Sequence, residues 1–217
     1  MANVFDYLDW RGDIEMSASR FCEVDALILS LLSYLSFDGI VPEAGAVPFL
    51  SVAREFLARY EKAEEKEKGI RLKTVSLLSR AAKTKRFSSL SVGRYVARSE
   101  ERAQMQFAAI SFFCENGESY VCFRGTDDSL VGWKENLNMS FLAPVPAQAE
   151  AVSYLESVAE DRAGRLYVCG HSKGGNLAFY AAVMCAPALQ ERIERAYNLD
   201  GPGFSQEFLK REEYQIV

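Results

Sequence analysis

The chain has 217 residues with a formal net charge of -5, and apolar residues make up 49% of it against 25% charged. This balance is typical of a soluble globular protein and excludes a chain that is disordered over most of its length. The acidic charge balance also disfavours nucleic-acid binding, because proteins of that class carry a basic surface.

The N-terminal part of the chain is predicted to be helical. Apolar residues recur at spacings of three and four over residues 24–35, which indicates one apolar helix face. A second helix is expected over 48–60, because proline is favoured in a first turn. The alternating charges of 61–68 are interpreted as its solvated end, which stops at Gly69. A third, short helix is predicted over 75–81.

The pattern changes to strands after residue 90. Residues 95–97, 107–114 and 120–124 are rich in β-branched and aromatic side chains, which favour strands. The pair Asn116-Gly117 between the last two strands predicts a β-hairpin. For residues 129–141 a helix and a loop both stay open.

From residue 146 onward, predicted strands and helices alternate. In chain order these are a helix over 147–160, a buried strand over 166–169, a small-residue helix over 174–186, a strand over 195–199 and a final helix from Ser205. Such alternation is typical of a parallel α/β sheet. We therefore predict an α/β fold with a mostly parallel sheet and flanking helices. We expect a single domain, with a mostly helical part over 1–90 and a sheet-containing core over 91–217.

The predicted location of the protein depends on features that the sequence lacks. No apolar run approaches the ~20 residues that a membrane-spanning helix needs, and no signal peptide is recognisable at the N-terminus. Five cysteines form no C-x-x-C pair, which is typical of reduced core residues in a cytoplasmic protein. With one histidine in the chain, we predict neither a metal site nor a cofactor.

The segment from Gly170 to Gly175 fits the pattern G-x-S-x-G, with Ser172 at its centre. A predicted buried strand leads into this segment and a helix of small residues leaves it. That arrangement is typical of a nucleophile elbow, a sharp turn that exposes a reactive serine. The flanking glycines suit such a turn, because it packs backbone closely on both sides. A glycine-rich turn without a catalytic serine stays open as the alternative.

Three features follow one another along the chain: Phe123-Arg124-Gly125-Thr126, then Trp133 and Leu137, then the elbow at 170–175. Together they resemble the class 3 lipases of the α/β-hydrolase fold. The segments 5–13, 170–178 and 198–204 carry a fuller resemblance, to a bacterial, lipase-like family of unknown function. The resemblance implies the α/β-hydrolase fold, and we expect the chain to lack the C-terminal strands and helices of that fold.

The resemblance also implies roles for individual residues. Ser172 would be the nucleophile, and the backbone N–H groups of Lys173 and Thr126 would form the oxyanion hole. Two preorganised donors of this kind stabilise the developing oxyanion, and removing one typically costs ~10²–10³ in rate. The segment 127–133 would correspond to the lid of such lipases. Asp200 is a candidate triad acid, with a structural turn aspartate as the alternative.

A serine hydroxyl needs an adjacent base, most often a histidine held by a carboxylate. The one histidine, His171, directly precedes the serine, and we expect its side chain to project away as a packed structural residue. Three explanations stay open. The chain is the N-terminal part of a longer hydrolase, or it uses another base such as Lys173, or it is a non-catalytic relative.

The predicted function is therefore a serine hydrolase, esterase- or lipase-like, that cleaves carboxylic esters of small acyl or lipid-like molecules. The alternative is a catalytically inactive scaffold used for binding, and a phosphate-binding loop is a weaker third interpretation. No nucleic-acid partner and no integral membrane segment are expected. An exposed sheet edge would allow a homodimer.

Overall fold

The computed structural model of the protein describes residues 2–62, 69–126, 132, 134–135, 138–139 and 144–215. The helices within these ranges are α1 (Val4–Arg11), α2 (Glu23–Leu32), α3 (Phe49–Lys62), α4 (Gly69–Ala81), α5 (Lys85–Ser88), α6 (Pro146–Asp161), α7 (Lys173–Met184) and α8 (Pro187–Gln190). The strands are β1 (Ala46–Pro48), β2 (Ser91–Glu100), β3 (Met105–Phe113), β4 (Ser119–Phe123), β5 (Leu166–His171) and β6 (Ile193–Leu199). Two 3₁₀ helices follow, at Phe208–Lys210 and Glu213–Gln215.

The strands form one mixed sheet in the order β1-β2-β3-β4-β5-β6. The prediction of a mostly parallel sheet was wrong, because β1 to β4 pair antiparallel and only β4, β5 and β6 run parallel. The connections 101–104 and 114–118 are too short for the crossover that a parallel pair requires. They therefore make hairpins, and the hairpin at Asn116-Gly117 is confirmed, with Gly117 at φ 92°.

The parallel half of the sheet is where helices serve as crossovers. Helix α6 precedes β5, and α7 lies between β5 and β6. Every residue of β3 and β4 is buried, because the N-terminal helices cover one face of the sheet and α6 and α7 cover the other. Strands buried on both faces read as continuous apolar runs. The predicted α/β class is confirmed in this coarser form, while the single-domain organisation stays a prediction.

Two boundaries differ from the sequence-based expectation. Gly69 begins α4 rather than ending the preceding helix, and residues 63–68 lie outside the described residues. The helix expected from Ser205 is replaced by the two 3₁₀ helices. Phe208 is 3% exposed and its ring stacks on Tyr180 of α7 at 5.4 Å. Aromatic packing onto α7 therefore overrides the helical tendency of this segment.

Candidate active site

Ser172 is the single residue between β5 and α7, and its backbone conformation is one that L-residues rarely adopt. Its dihedrals are φ 56° and ψ -132°, which carry a steric penalty for any residue with a Cβ. Hydrogen bonds hold the turn on both sides. The Ser172 N–H donates to the carbonyl of Leu199 at 2.9 Å, and the Ser172 carbonyl accepts from the Gly175 N–H at 2.8 Å. The strand–turn–helix geometry predicted for this segment is therefore present.

The glycines around Ser172 allow a backbone approach that no side chain would permit. A Cβ at Gly170 would lie 2.1 Å from the carbonyl oxygen of Gly174, and a Cβ at Gly174 would lie 2.1 Å from that of Phe123. Backbone atoms cannot yield to such contacts in the way that flexible side chains can. The first turn of α7 therefore packs directly against β4 and β5. This contact fixes the position of Ser172 relative to the sheet.

Three of the predicted site residues follow three neighbouring strands at the same edge of the sheet. Strands β4, β5 and β6 are parallel and end in register. Thr126, Ser172 and Asp200 come one to three residues after those strands. Ligand sites of open α/β sheets lie at this carboxyl edge. The structure therefore brings these residues to one place.

Thr126 carries a polar atom that has no protein partner within the described ranges. Its Oγ1 is buried and has no hydrogen-bond partner among the described residues. The neighbouring Gly125 is packed so closely against the elbow that a Cβ there would lie 2.7 Å from the carbonyl oxygen of His171. A buried hydroxyl without a partner is costly, so its presence beside the elbow is consistent with a ligand that it contacts.

Lys173 presents its backbone and its side chain to different surroundings. It is the first residue of α7, where N–H groups point out of the helix N-terminus. Its side chain is fully buried and donates to the carbonyl of Gln106, to Gln106 Oε1 at 2.8 Å and to Glu135 Oε2 at 2.9 Å. An ammonium group with three donated N–H groups has no lone pair for the serine proton. This arrangement does not support Lys173 as the base.

His171 is held on the other side of the elbow. Its Nδ1 lies 3.0 Å from the Tyr34 hydroxyl, and the two rings meet edge to face. Burial raises the pKa of Tyr34 to about 12, so this hydroxyl keeps its proton at neutral pH. The contact agrees with the expectation that His171 is a packed, hydrogen-bonded residue.

Asp200 is exposed at the end of β6, with φ 56°. The turn that carries it is fixed to α7, since Asn176 Nδ2 donates to the carbonyl of Pro202 at 3.1 Å. Its carboxylate makes no hydrogen bond within the described part of the chain. Whether it serves as a triad acid stays a proposal.

Two residues that contribute to this site were missed in the sequence. Glu135 and Gln106 are both fully buried against Lys173, yet they lie 38 and 67 residues away from it. A buried lysine at the elbow needs an acidic partner, but the sequence contains many acidic residues and does not indicate which one pairs with it. The predicted lid over 127–133 lies outside the described residues, apart from Gly132.

A family model described as Mbeg1-like matches residues 81–217. The chain belongs to the Mbeg1-like family. The assignment to the class 3 lipase-like family was wrong, because Mbeg1-like is a different family. The G-x-S-x-G motif behind that assignment belongs to a strand–turn–helix geometry that constrains glycines and serine in the same way wherever it occurs.

The part of the chain that matches the Mbeg1-like model contains β2 to β6 and the whole elbow. No curated protein and no solved structure is significantly similar to the chain. Among the described residues no group of His, Cys, Asp and Glu is arranged to hold a metal ion. None of the described helices is long and apolar enough to cross a membrane.

Proposed function

We propose that this Mbeg1-like protein is a serine hydrolase of α/β-hydrolase type that cleaves carboxylic esters, with Ser172 as its nucleophile. The observation that carries the proposal is the φ of 56° at Ser172, between a buried parallel strand and a helix N-terminus. Strained non-glycine residues cluster at active sites, because they persist only where the surrounding structure enforces the conformation and the function benefits from it. The Mbeg1-like family match is consistent with a hydrolase-like protein.

In the proposed reaction Ser172 Oγ attacks the ester carbonyl carbon and forms a tetrahedral intermediate. The oxyanion accepts hydrogen bonds from the backbone N–H groups of Lys173 and Thr126, and the buried Thr126 hydroxyl is available as a further donor. A base takes the Ser172 proton and returns it to the leaving oxygen as the intermediate collapses, so the C–O bond breaks, the alcohol is released and an acyl-enzyme remains. Water then hydrolyses the acyl-enzyme and regenerates the serine. The proposed substrates are acyl esters or lipid-like small molecules.

The base of this scheme is not assigned among the described residues. His171 contacts Tyr34 and the Lys173 ammonium is paired with Glu135, so neither is arranged to accept the serine proton. Asp200 is exposed at the same sheet edge with its carboxylate unused within the described residues. We assign Asp200 as the carboxylate that would orient the base.

One observation favours a second candidate function. Within the described residues the Ser172 hydroxyl makes no hydrogen bond to a basic side chain. A binding scaffold that keeps the elbow geometry without catalysis would have the same structure. The cytoplasmic location and a homodimer through an exposed sheet edge stay predictions. A monomer mass in light scattering would contradict the dimer.

A fluorophosphonate probe tests the proposed function, because it reacts covalently only with an activated serine. The probe is applied to the 217-residue chain, with intact mass and peptide mapping before and after. We expect an adduct on Ser172 that the Ser172→Ala variant loses. The exposed Ser153 provides the matched control, so Ser153→Ala should keep the adduct. The absence of any adduct would overturn the hydrolase proposal and leave the scaffold.

A further inference from the structure

Beneath the elbow, one carboxylate connects four parts of the chain. Glu135 is fully buried, and its Oε2 accepts from Lys173 Nζ at 2.9 Å and from the Gln106 N–H at 3.0 Å. Its Oε1 accepts from the Ala147 N–H at 3.0 Å. Gln106 belongs to β3, Ala147 to α6 and Lys173 to α7. The carboxylate therefore fixes the start of α7 relative to the strand and the helix beside it.

Stability alone does not account for this ion pair. Removing two charges from water costs several kcal/mol per ion, and well-packed apolar residues of similar volume are often as stabilising. A lysine–glutamate pair differs from an apolar pair in being directional, since each hydrogen bond specifies a position. Here the specified position belongs to the residue that directly follows Ser172.

We propose that Glu135 is a positioning residue for the oxyanion hole. By holding the Lys173 side chain, it sets the direction in which the Lys173 backbone N–H points at the carboxyl edge of the sheet. This inference rests on the proposed function, because the direction of the Lys173 N–H matters only if that group stabilises the oxyanion of the hydrolase reaction. Glu135 itself does not touch the substrate and acts only through Lys173.

The first arm of the test measures phosphonylation of Ser172 in Glu135→Gln and in the double variant Lys173→Met/Glu135→Gln. The double variant leaves neither charge unpaired, which protects its folding. A misplaced oxyanion donor lowers the rate of the chemical step. We expect the limiting rate kinact to fall at least about tenfold with little change in the reversible constant KI.

The matched control is Arg86→Met, which breaks another fully buried ion pair, that with Asp25. We expect Arg86→Met to lower the melting temperature as the Glu135 variants do, but this substitution lies on the N-terminal helices. A purely structural role for Glu135 would make both variants behave alike. The positioning role predicts that kinact falls in the Glu135 variants and stays at the wild-type value in Arg86→Met.

The second arm needs no catalysis. The Ser172 N–H donates to Leu199 of β6 and the Gly175 N–H donates to Ser172, so the exchange of these two amides reports the rigidity of the turn. We expect both to exchange at least about tenfold faster in the Glu135 variants, with exchange in α3 unchanged. Wild-type exchange at both amides, or wild-type kinact, overturns the positioning role. If the wild type is not labelled while exchange still rises, the hydrolase proposal fails and Glu135 positions the turn without an oxyanion hole to serve.

Discussion

At the scale of single residues, the strained turn at Ser172 lowers the stability of the folded state and exposes one hydroxyl. A non-glycine residue at positive φ of this kind costs on the order of 1–3 kcal/mol. Ser172 has φ 56° and ψ -132°, so the folded state carries this cost whichever L-residue stands there. Only glycine would remove it.

We therefore expect Ser172→Gly to be more stable than Ser172→Ala by about 1 kcal/mol, because glycine removes the strain and loses ~0.5–1 kcal/mol of it to unfolded-state entropy. Urea unfolding of the two variants measures the difference. Ser153 serves as the comparison, since it is exposed on helix α6 and has no positive φ. There the order should reverse, with alanine favoured over glycine by about 1 kcal/mol. The same order at both positions would show that Ser172 is not strained.

The candidate site was predictable from the sequence only where neighbours along the chain determine it. Ser172 is recognisable because the glycines that its turn requires lie within three residues of it. Glu135 was not recognisable, because its pairing with Lys173 depends on how α6, α7 and β3 meet in space. A buried ion pair leaves no periodic signal in a sequence.

At the scale of elements, a buried ion pair joins α5 to α2. The side chains of Arg86 and Asp25 are both fully buried, and Arg86 Nε donates to Asp25 Oδ1 at 2.6 Å. The guanidinium also donates to the carbonyl groups of Ser19 and Arg20, at 3.3 and 3.1 Å. The pair thus fixes the connection between α1 and α2 against α5.

Arg86→Met should lower the free energy of unfolding by about 3–5 kcal/mol, because it leaves the Asp25 carboxylate buried without its cation. Chemical denaturation measures the loss. The exposed pair of Arg59 and Glu55 on α3 is the control, and Arg59→Met should cost less than about 1 kcal/mol. The double variant Arg86→Met/Asp25→Asn should lose less than the sum of the single variants. Strict additivity would contradict the coupling of the pair.

The order and type of most elements followed from hydrophobic periodicity, but the direction of the strands did not. Alternation of strands and helices after residue 146 correctly indicated the parallel half of the sheet, since each crossover there contains a helix. Connection length accounts for the antiparallel pairing of β2 with β3 and of β3 with β4, and 101–104 was not recognised as a turn. The final segment depends on packing of Phe208 against Tyr180, which no local pattern encodes.

At the scale of the whole molecule, the sheet and the helices that cover it bury phenolic side chains in an environment where the charged form is unfavourable. Burial is the main reason that the pKa of Tyr34 rises to about 12 and that of Tyr197 to about 12. A tyrosine is neutral below its pKa. A raised pKa in the folded state therefore contributes stability that is fully present below pH ~10, the unfolded value, and is lost as the pH rises through the folded value.

Tyr34 makes this dependence measurable, because its hydroxyl joins the turn after α2 to the elbow through His171. Its pKa of about 12 against an ordinary 10 predicts that the wild type loses about 1 kcal/mol from this group between pH 8 and pH 11. Tyr34→Phe has no proton to lose, so its stability should fall less over that range. Urea unfolding of both proteins at the two pH values isolates the group, because all other titrations are shared. Equal losses in the two proteins would show that Tyr34 is not buried as neutral phenol against the elbow.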